Sequence, residues 1–252
     1  MSHSVPALEA RGLVKSYRRG RAVDGVDVVI GRGERVAILG PNGAGKTTTL
    51  LMCLGAVSPD RGTTAICGHL LPRRKRHALA HVGFAAGYLP MPERLRVREY
   101  LRIYGLLYGL RDTGEHVRRA LIAFGIANLA DAMATELSSG QKTLVGIVKA
   151  TLHVPQLVVL DEPTASLDPN VAARVRTGLT KICGPGRAAL LLTSHDMQEV
   201  EQLADRVIFL VGGRIVAQGP PADVAARFGS ENLEQVFLEL ARSGKHHDEV
   251  PS

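Results

Sequence analysis

Val36-Ala37-Ile38-Leu39-Gly40-Pro41-Asn42-Gly43-Ala44-Gly45-Lys46-Thr47-Thr48 is the stretch on which the fold turns. Four apolar residues in a row read as a short strand buried on both faces, and residues 47–55 read as a helix. Strand, glycine loop and helix in that order form the first unit of an α/β fold. The run beginning at Gly40 fits the pattern G-x-x-x-x-G-K-[ST]. Glycines let backbone N–H groups close around phosphate oxygens, and the helix that follows directs its positive end at them. Lys46 supplies a mobile charge for the β- and γ-phosphates, and the Thr47 hydroxyl is placed to ligate Mg²⁺. A glycine-rich turn is the plainer reading, but the strand before it and the helix after it are the context this motif demands.

Outward from this stretch the chain alternates between strand and helix patterns. Residues 8–15 and 22–30 carry strand-like alternation and suggest a small antiparallel sheet at the N-terminus. Residues 97–134 are helical in pattern, with Tyr100, Leu101, Tyr104, Leu107 and Tyr108 at three- and four-residue steps and a second helix over 115–124. Two more β/α units follow. Leu157-Val158-Val159-Leu160 runs into an acidic turn and a helix from about Asn170, and Ala189-Leu190-Leu191-Leu192 runs into Thr193-Ser194-His195 with a helix from Asp196. Such continuous apolar strands point to a parallel central sheet. Leu233, Val236, Phe237 and Leu240 form an amphipathic stripe, and residues 244–252 are polar and expected to lack fixed structure.

Bulk properties narrow the function classes. In 252 residues the apolar share is 45% and the charged share 22%, which suits a globular protein with a sizeable core. Aromatic residues make up 4% with no Trp, so the core must be mostly Leu, Val, Ile and Ala. The net charge of +7 has its densest run at Arg73-Arg74-Lys75-Arg76-His77, with no aromatic inside it to stack on bases. That run reads as a solvated helix face or as a contact for anionic headgroups or an acidic partner; nucleic acid is not expected. Cys53, Cys67 and Cys183 are odd in number and widely spaced, which argues against disulfides and zinc and for a reducing compartment. Residues 1–9 lack the pattern of a signal peptide. The charge-free stretch 47–59 falls short of the roughly 18 apolar residues of a spanning helix, and no other charge-free stretch reaches that number.

Three further residues carry chemistry. Asp161 stands at the carboxyl end of an apolar strand, where it can reach a Mg²⁺ shell, and Glu162 can polarise an attacking water. His195, just beyond another buried strand, is either a capping histidine or a γ-phosphate contact.

Leu137-Ser138-Ser139-Gly140-Gln141 resembles the L-S-G-G-Q signature of ABC transporter ATP-binding subunits, with Ser139 replacing the first glycine. It precedes Leu160-Asp161-Glu162-Pro163-Thr164 and Ser166-Leu167-Asp168, which look like that family's Walker B segment and D-loop. Tyr17 stands where the family places an aromatic on adenine, and His195 where it places a switch histidine. The resemblance covers residues 8–224. It implies a P-loop NTPase fold of the α/β class: a RecA-like core, an N-terminal antiparallel β subdomain and an inserted α-helical subdomain over about 93–150. The ATP-binding domain would span 1–230, and 231–252 would be a C-terminal helix and polar tail.

The resemblance further implies an ATPase that binds ATP and Mg²⁺ between two copies, a homodimer being expected. The P-loop of one copy (Gly40, Pro41, Asn42, Gly43, Ala44, Gly45, Lys46, Thr47, Thr48) would face Ser138, Ser139, Gly140 and Gln141 of the other, with Asp168 nearby. Thr47 and Asp161 would hold Mg²⁺; Lys46, Glu162 and His195 would carry the reaction. The partner implied is a transmembrane permease, with this chain peripheral on the cytoplasmic face of the membrane. The segments 137–143, 193–197 and 233–238 are similar to the ABC-2 exporter subgroup, although the last also reads as an ordinary docking helix. One departure is plain: Gly87 falls where the family has a Mg²⁺-contacting glutamine, and no Gln occurs between Lys46 and Gly140. A soluble ABC ATPase remodelling a ribosome or DNA complex is the alternative; its paired cassettes, charged linkers or long coiled-coil insertions do not occur here.

Overall fold

The structure is a computed structural model that describes residues 5–18, 20–87, 91–165 and 167–245, with only the backbone over 241–245. The first part runs β1 (Leu8–Tyr17), β2 (Gly20–Ile30), β3 (Arg35–Leu39), α1 (Lys46–Cys53), β4 (Arg61–Ile66), β5 (His69–Leu70), α2 (Lys75–Leu79) and β6 (Val82–Ala86). A helical stretch follows: α3 (Val97–Leu107), α4 (Thr113–Ala123), two 3₁₀ turns and α5 (Ser139–Thr151). The chain then returns to alternation with β7 (Leu157–Asp161), α6 (Pro169–Ile182), β8 (Ala189–Thr193), α7 (Met197–Leu203) and β9 (Arg206–Val211). It closes with β10 (Arg214–Gly219), α8 (Pro221–Arg227) and α9 (Leu233–Lys245).

The described strands form two sheets, one of order β2-β1-β4-β5 and one of order β10-β9-β3-β8-β7-β6. The first is antiparallel throughout. In the second, β9, β3, β8, β7 and β6 run parallel, and β10 alone is antiparallel, at the edge. The central strands are the continuous apolar runs of the sequence, and every residue of β7 and β8 is buried.

Alternate residues of these strands serve two cores, as the two-residue period of a strand requires. Val36, Ile38, Val159 and Leu191 pack under α1 and the antiparallel sheet, with Leu8, Leu13, Val28 and Leu50. Ala37, Leu39, Leu160 and Leu192 face the other way, onto Leu101, Leu121, Leu144, Leu179 and Val200 of the helices. The central sheet is thus sandwiched, with the helical stretch 97–151 on one side of it.

Several expectations shift in detail. The helical region 97–134 holds the two expected helices, the first ended at Gly109 with φ 74°, but its last part is short 3₁₀ turns. Gly244 and Lys245 still belong to α9; the remainder of the expected tail lies outside the described residues. Arg73 through His77 are all exposed, and α2 occupies the second half of that run. No described helix is long and apolar enough to cross a membrane. The three cysteines are free, and burial pushes the thiols of Cys53 and Cys183 up to about 12.

Between α4 and α6 the ring of Phe124, 1% exposed, lies on Gly178. A Cβ at Gly178 would fall 2.2 Å from ring atoms Cδ1 and Cε1. Replacing a helix-interior glycine by alanine ordinarily stabilises by about 1 kcal/mol, whereas overpacking a core costs about 1–3 kcal/mol. With the ring enclosed, the second effect wins. Gly178→Ala is expected to lower the urea midpoint at unchanged m-value; a raised midpoint would show that the ring yields freely.

Candidate active site

The loop after β3 is shaped by the backbones on either side of it. Gly40, at φ 150°, leaves so little room that a Cβ would lie 2.1 Å from the carbonyl oxygen of Leu210. At Gly45, φ 99°, the same atom would lie 2.3 Å from the carbonyl oxygen of Ala22. Only glycine satisfies both the conformation and the clearance. Pro41, Asn42 and Gly43 form the tip, closed by a bond from Ala44 N to Pro41 O at 3.2 Å.

Lys46 begins α1. The N-cap, Gly45, offers no side-chain acceptor, and the first turn of α1 holds no acidic residue. A helix start with neither is suited to an anion. Thr48 is half-buried in that first turn and Thr47 is exposed. Lys46 is 8% exposed, and its Nζ donates to the carbonyl oxygens of Gly40 at 2.7 Å and Pro41 at 3.2 Å. Burial holds its pKa below the ordinary amine value, opposed by the charges of Glu162 and Asp161.

The parallel register brings three strand ends level. Ala86 of β6 pairs with Asp161 of β7, which pairs with Thr193 of β8. Asp161 is 4% exposed; it accepts from Thr193 Oγ1 at 2.6 Å through Oδ1 and from Thr47 Oγ1 at 3.3 Å through Oδ2. A buried carboxylate beside an exposed hydroxyl is a hard-oxygen set of the kind Mg²⁺ takes with water and substrate phosphate. The residues present therefore fit the metal. Glu162 sits in the left-handed region at φ 50° and donates its N–H to Thr193 Oγ1 at 2.9 Å. Its Oε2 is 2.7 Å from His195 Nδ1. Left-handed backbone on a residue that is not glycine persists only where the surroundings impose it, as they do here.

Lys46, Thr47, Asp161, Glu162 and His195 thus meet at one end of the sheet. Tyr17, 49% exposed at the end of β1, shares an open groove with Arg21, Ala22 and Gly43 beside the loop. Ser138 to Gln141 are placed elsewhere. Ser138 caps α5, its Oγ accepting from Gln141 N at 3.2 Å while Gln141 Oε1 accepts from Ser138 N at 2.9 Å. Ser139 is the first residue of α5 and is not among the residues with positive φ, so serine there meets no backbone penalty. The nearest atoms to a Cβ at Gly140 belong to Leu167 and Val171, towards the start of α6. Asp168 caps α6 by accepting from Asn170 N at 3.1 Å and Val171 N at 3.0 Å. Gly87 follows β6, and a Cβ on it would lie 3.8 Å from the carbonyl oxygen of Glu162, so the position adjoins the site without filling it. Tyr88 and Ser166 lie outside the described residues.

Sequence reasoning missed Thr193, the hydroxyl that holds Asp161 and Glu162 together. The signal was available: in a parallel sheet of equal-length strands, the last residue of β8 stands beside the last residue of β7.

Comparison with known proteins fits this geometry. Residues 23–165 match the family model described as ABC transporter. The chain is 36% identical over 233 residues to the Nod factor export ATP-binding protein I of Burkholderia lata, covering 91% of this chain and 76% of that protein. The protein of the same name from Paraburkholderia xenovorans is 36% identical over 231 residues, covering 90% and 76%. Among solved structures, an ATP binding subunit of an ABC transporter is 30% identical with a TM-score of 0.79, covering 93% of this chain and 99% of that one. CbiO1 from Clostridium perfringens, part of the transporter complex cbiONQ, is 28% identical with a TM-score of 0.78, covering 97% and 99%. With the phosphate loop, the carboxylate pair and the helix-capping serine all in place, the chain belongs to the ABC transporter family.

Proposed function

We propose that this chain is the ATP-binding and ATP-hydrolysing subunit of a transporter that drives export through a separate transmembrane subunit. The observation that carries the reading is the meeting of Lys46, Thr47, Asp161, Glu162 and His195 around an uncapped helix start. Export is supported by the relatives that carry it in their names, and a separate membrane partner by the likeness to a subunit of a multi-protein complex. On this reading the chain sits at the cytoplasmic face of the membrane. The cargo is chosen by the partner.

Each residue then has a task. The amides of residues 43–48 and the Lys46 ammonium hold the β- and γ-phosphates, and Tyr17 supports the adenine. Thr47 and Asp161 hold Mg²⁺, which when bound neutralises charge on the phosphates and orients them. Glu162 takes a proton from water as its oxygen bonds to the γ-phosphorus. The bond from that phosphorus to the bridging oxygen breaks, leaving ADP and phosphate. His195 fixes the Glu162 carboxylate and can contact the γ-phosphate. Ser138 to Gln141 of a second copy, with Asp168, would close the site from the far side; the exposed, capped start of α5 that carries Ser138 and Ser139 suits that role. Gly87 supplies no side chain to this edge of the site, where the resemblance places a glutamine.

Three variants test these assignments. Lys46→Ala is expected to weaken ATP binding at least tenfold, the scale of a charge-assisted hydrogen bond; an unaltered Kd in a nucleotide titration would count against the phosphate cradle. Glu162→Gln is expected to lower ATP turnover by about 10²–10⁴-fold, as for loss of a general base, and to give an ATP-dependent dimer on size-exclusion chromatography. Turnover at the wild-type rate would remove Glu162 from that role. Thr193→Val keeps the shape but strips the hydroxyl from Asp161 and Glu162, and should cost about 1–3 kcal/mol in urea unfolding together with most of the turnover; normal values of both would show that the bridge is idle.

A further inference from the structure

The turn after β7 is gripped by one short segment. Thr193 holds Asp161 and the Glu162 amide, and His195 meets the Glu162 carboxylate. A third bond lies deeper: Thr164 Oγ1 donates to Glu199 Oε2 in a short hydrogen bond. Glu199 belongs to α7 and is 2% exposed, and its amide is fixed by Asp196 Oδ1 at 3.0 Å. Its other carboxyl oxygen, Oε1, is buried with no hydrogen-bond partner among the described residues. Burial raises its pKa, and the Thr164 hydroxyl works against that. Packing gives no reason for a carboxyl group in this place, because a buried polar oxygen without a partner costs stability that an apolar side chain would not.

We infer that Glu199 is a positioning residue for hydrolysis, tying the turn that carries Glu162, through Thr164, to the segment that carries His195. Glu162 is held at φ 50°, a conformation that relaxes unless the chain is pinned on both sides. Thr193 pins the amide at one end. Thr164, two residues further on, is the other pin, and Glu199 is what it is pinned to. With both in place the Glu162 carboxylate is aimed at His195; with one lost, the carboxylate spends less time in line with an attacking water. The phosphate loop makes none of these contacts, so nucleotide binding is spared. The inference rests on the hydrolytic reading above.

The test uses the full chain with Glu199→Ala, Thr164→Val, their combination, and Glu199→Gln. Glu199→Ala and Thr164→Val should each lower kcat about tenfold, the upper range for one net hydrogen bond, with KM for ATP within about twofold of wild type. The double variant should lose no more than either single one, since both break the same contact. Glu199→Gln, whose amide oxygen still accepts from Thr164, should recover most of the rate. Without nucleotide, hydrogen exchange over residues 161–165 should rise in Glu199→Ala and Thr164→Val and stay unchanged over 46–53. Multiplying losses, an unaltered kcat in Glu199→Ala, or unaltered exchange over 161–165 would each overturn the inference. A wild-type chain that does not hydrolyse ATP would instead sink the hydrolytic reading, and the exchange measurement would still decide the tie.

Discussion

The close approach of three backbones at the end of β3 governs the rest of the molecule. Leu210 O and Ala22 O stand where the first Cβ of any larger residue at Gly40 or Gly45 would go. Two strands from different sheets therefore press on the loop and force it to turn tightly into α1. Because β3 lies between β8 and β9 with apolar residues on both faces, the loop cannot relieve that pressure by moving. Its shape is a property of the sheet, imposed from outside the loop itself.

The parallel arrangement then explains why the chemistry collects at one edge. Strands that run the same way finish on the same side, and their crossover helices begin there. Asp161 and Thr193 are neighbours because β7 and β8 are in register to the last residue. Glu162 and His195 follow one and two residues beyond those strands. Residues more than thirty apart in sequence thereby share hydrogen bonds of 2.6 to 2.9 Å. The antiparallel sheet contributes from the other side, setting Tyr17 beside the loop at the end of β1.

Much of this was legible in the residues themselves. Val36 to Leu39, Leu157 to Leu160 and Ala189 to Leu192 announce strands because both faces are covered, which leaves no polar alternation to confuse the pattern. The motif residues could be placed on strand ends and helix starts for the same reason. What escaped notice had weaker or overlooked marks. β4, Arg61–Ile66, has three exposed residues at its start and little apolar content, so its pairing with β1 is a tertiary matter. β9 carries Val207-Ile208-Phe209-Leu210, as clear a run as the others, and was readable. The Thr193 bridge could have been read from the equal strand lengths, but the Thr164–Glu199 bond was hidden: it joins a turn to a helix whose nearness no local pattern encodes.

The reciprocal cap at the head of α5 has one more consequence. Ser138 and Gln141 satisfy each other's backbone within a single turn, so this helix start is formed without help from a partner. On the proposed reading, a second copy meets a finished surface and need not fold one during the encounter. Assembly would then be governed by orientation and charge instead of by local ordering, which lets dimers form and part quickly within each round of fuel use.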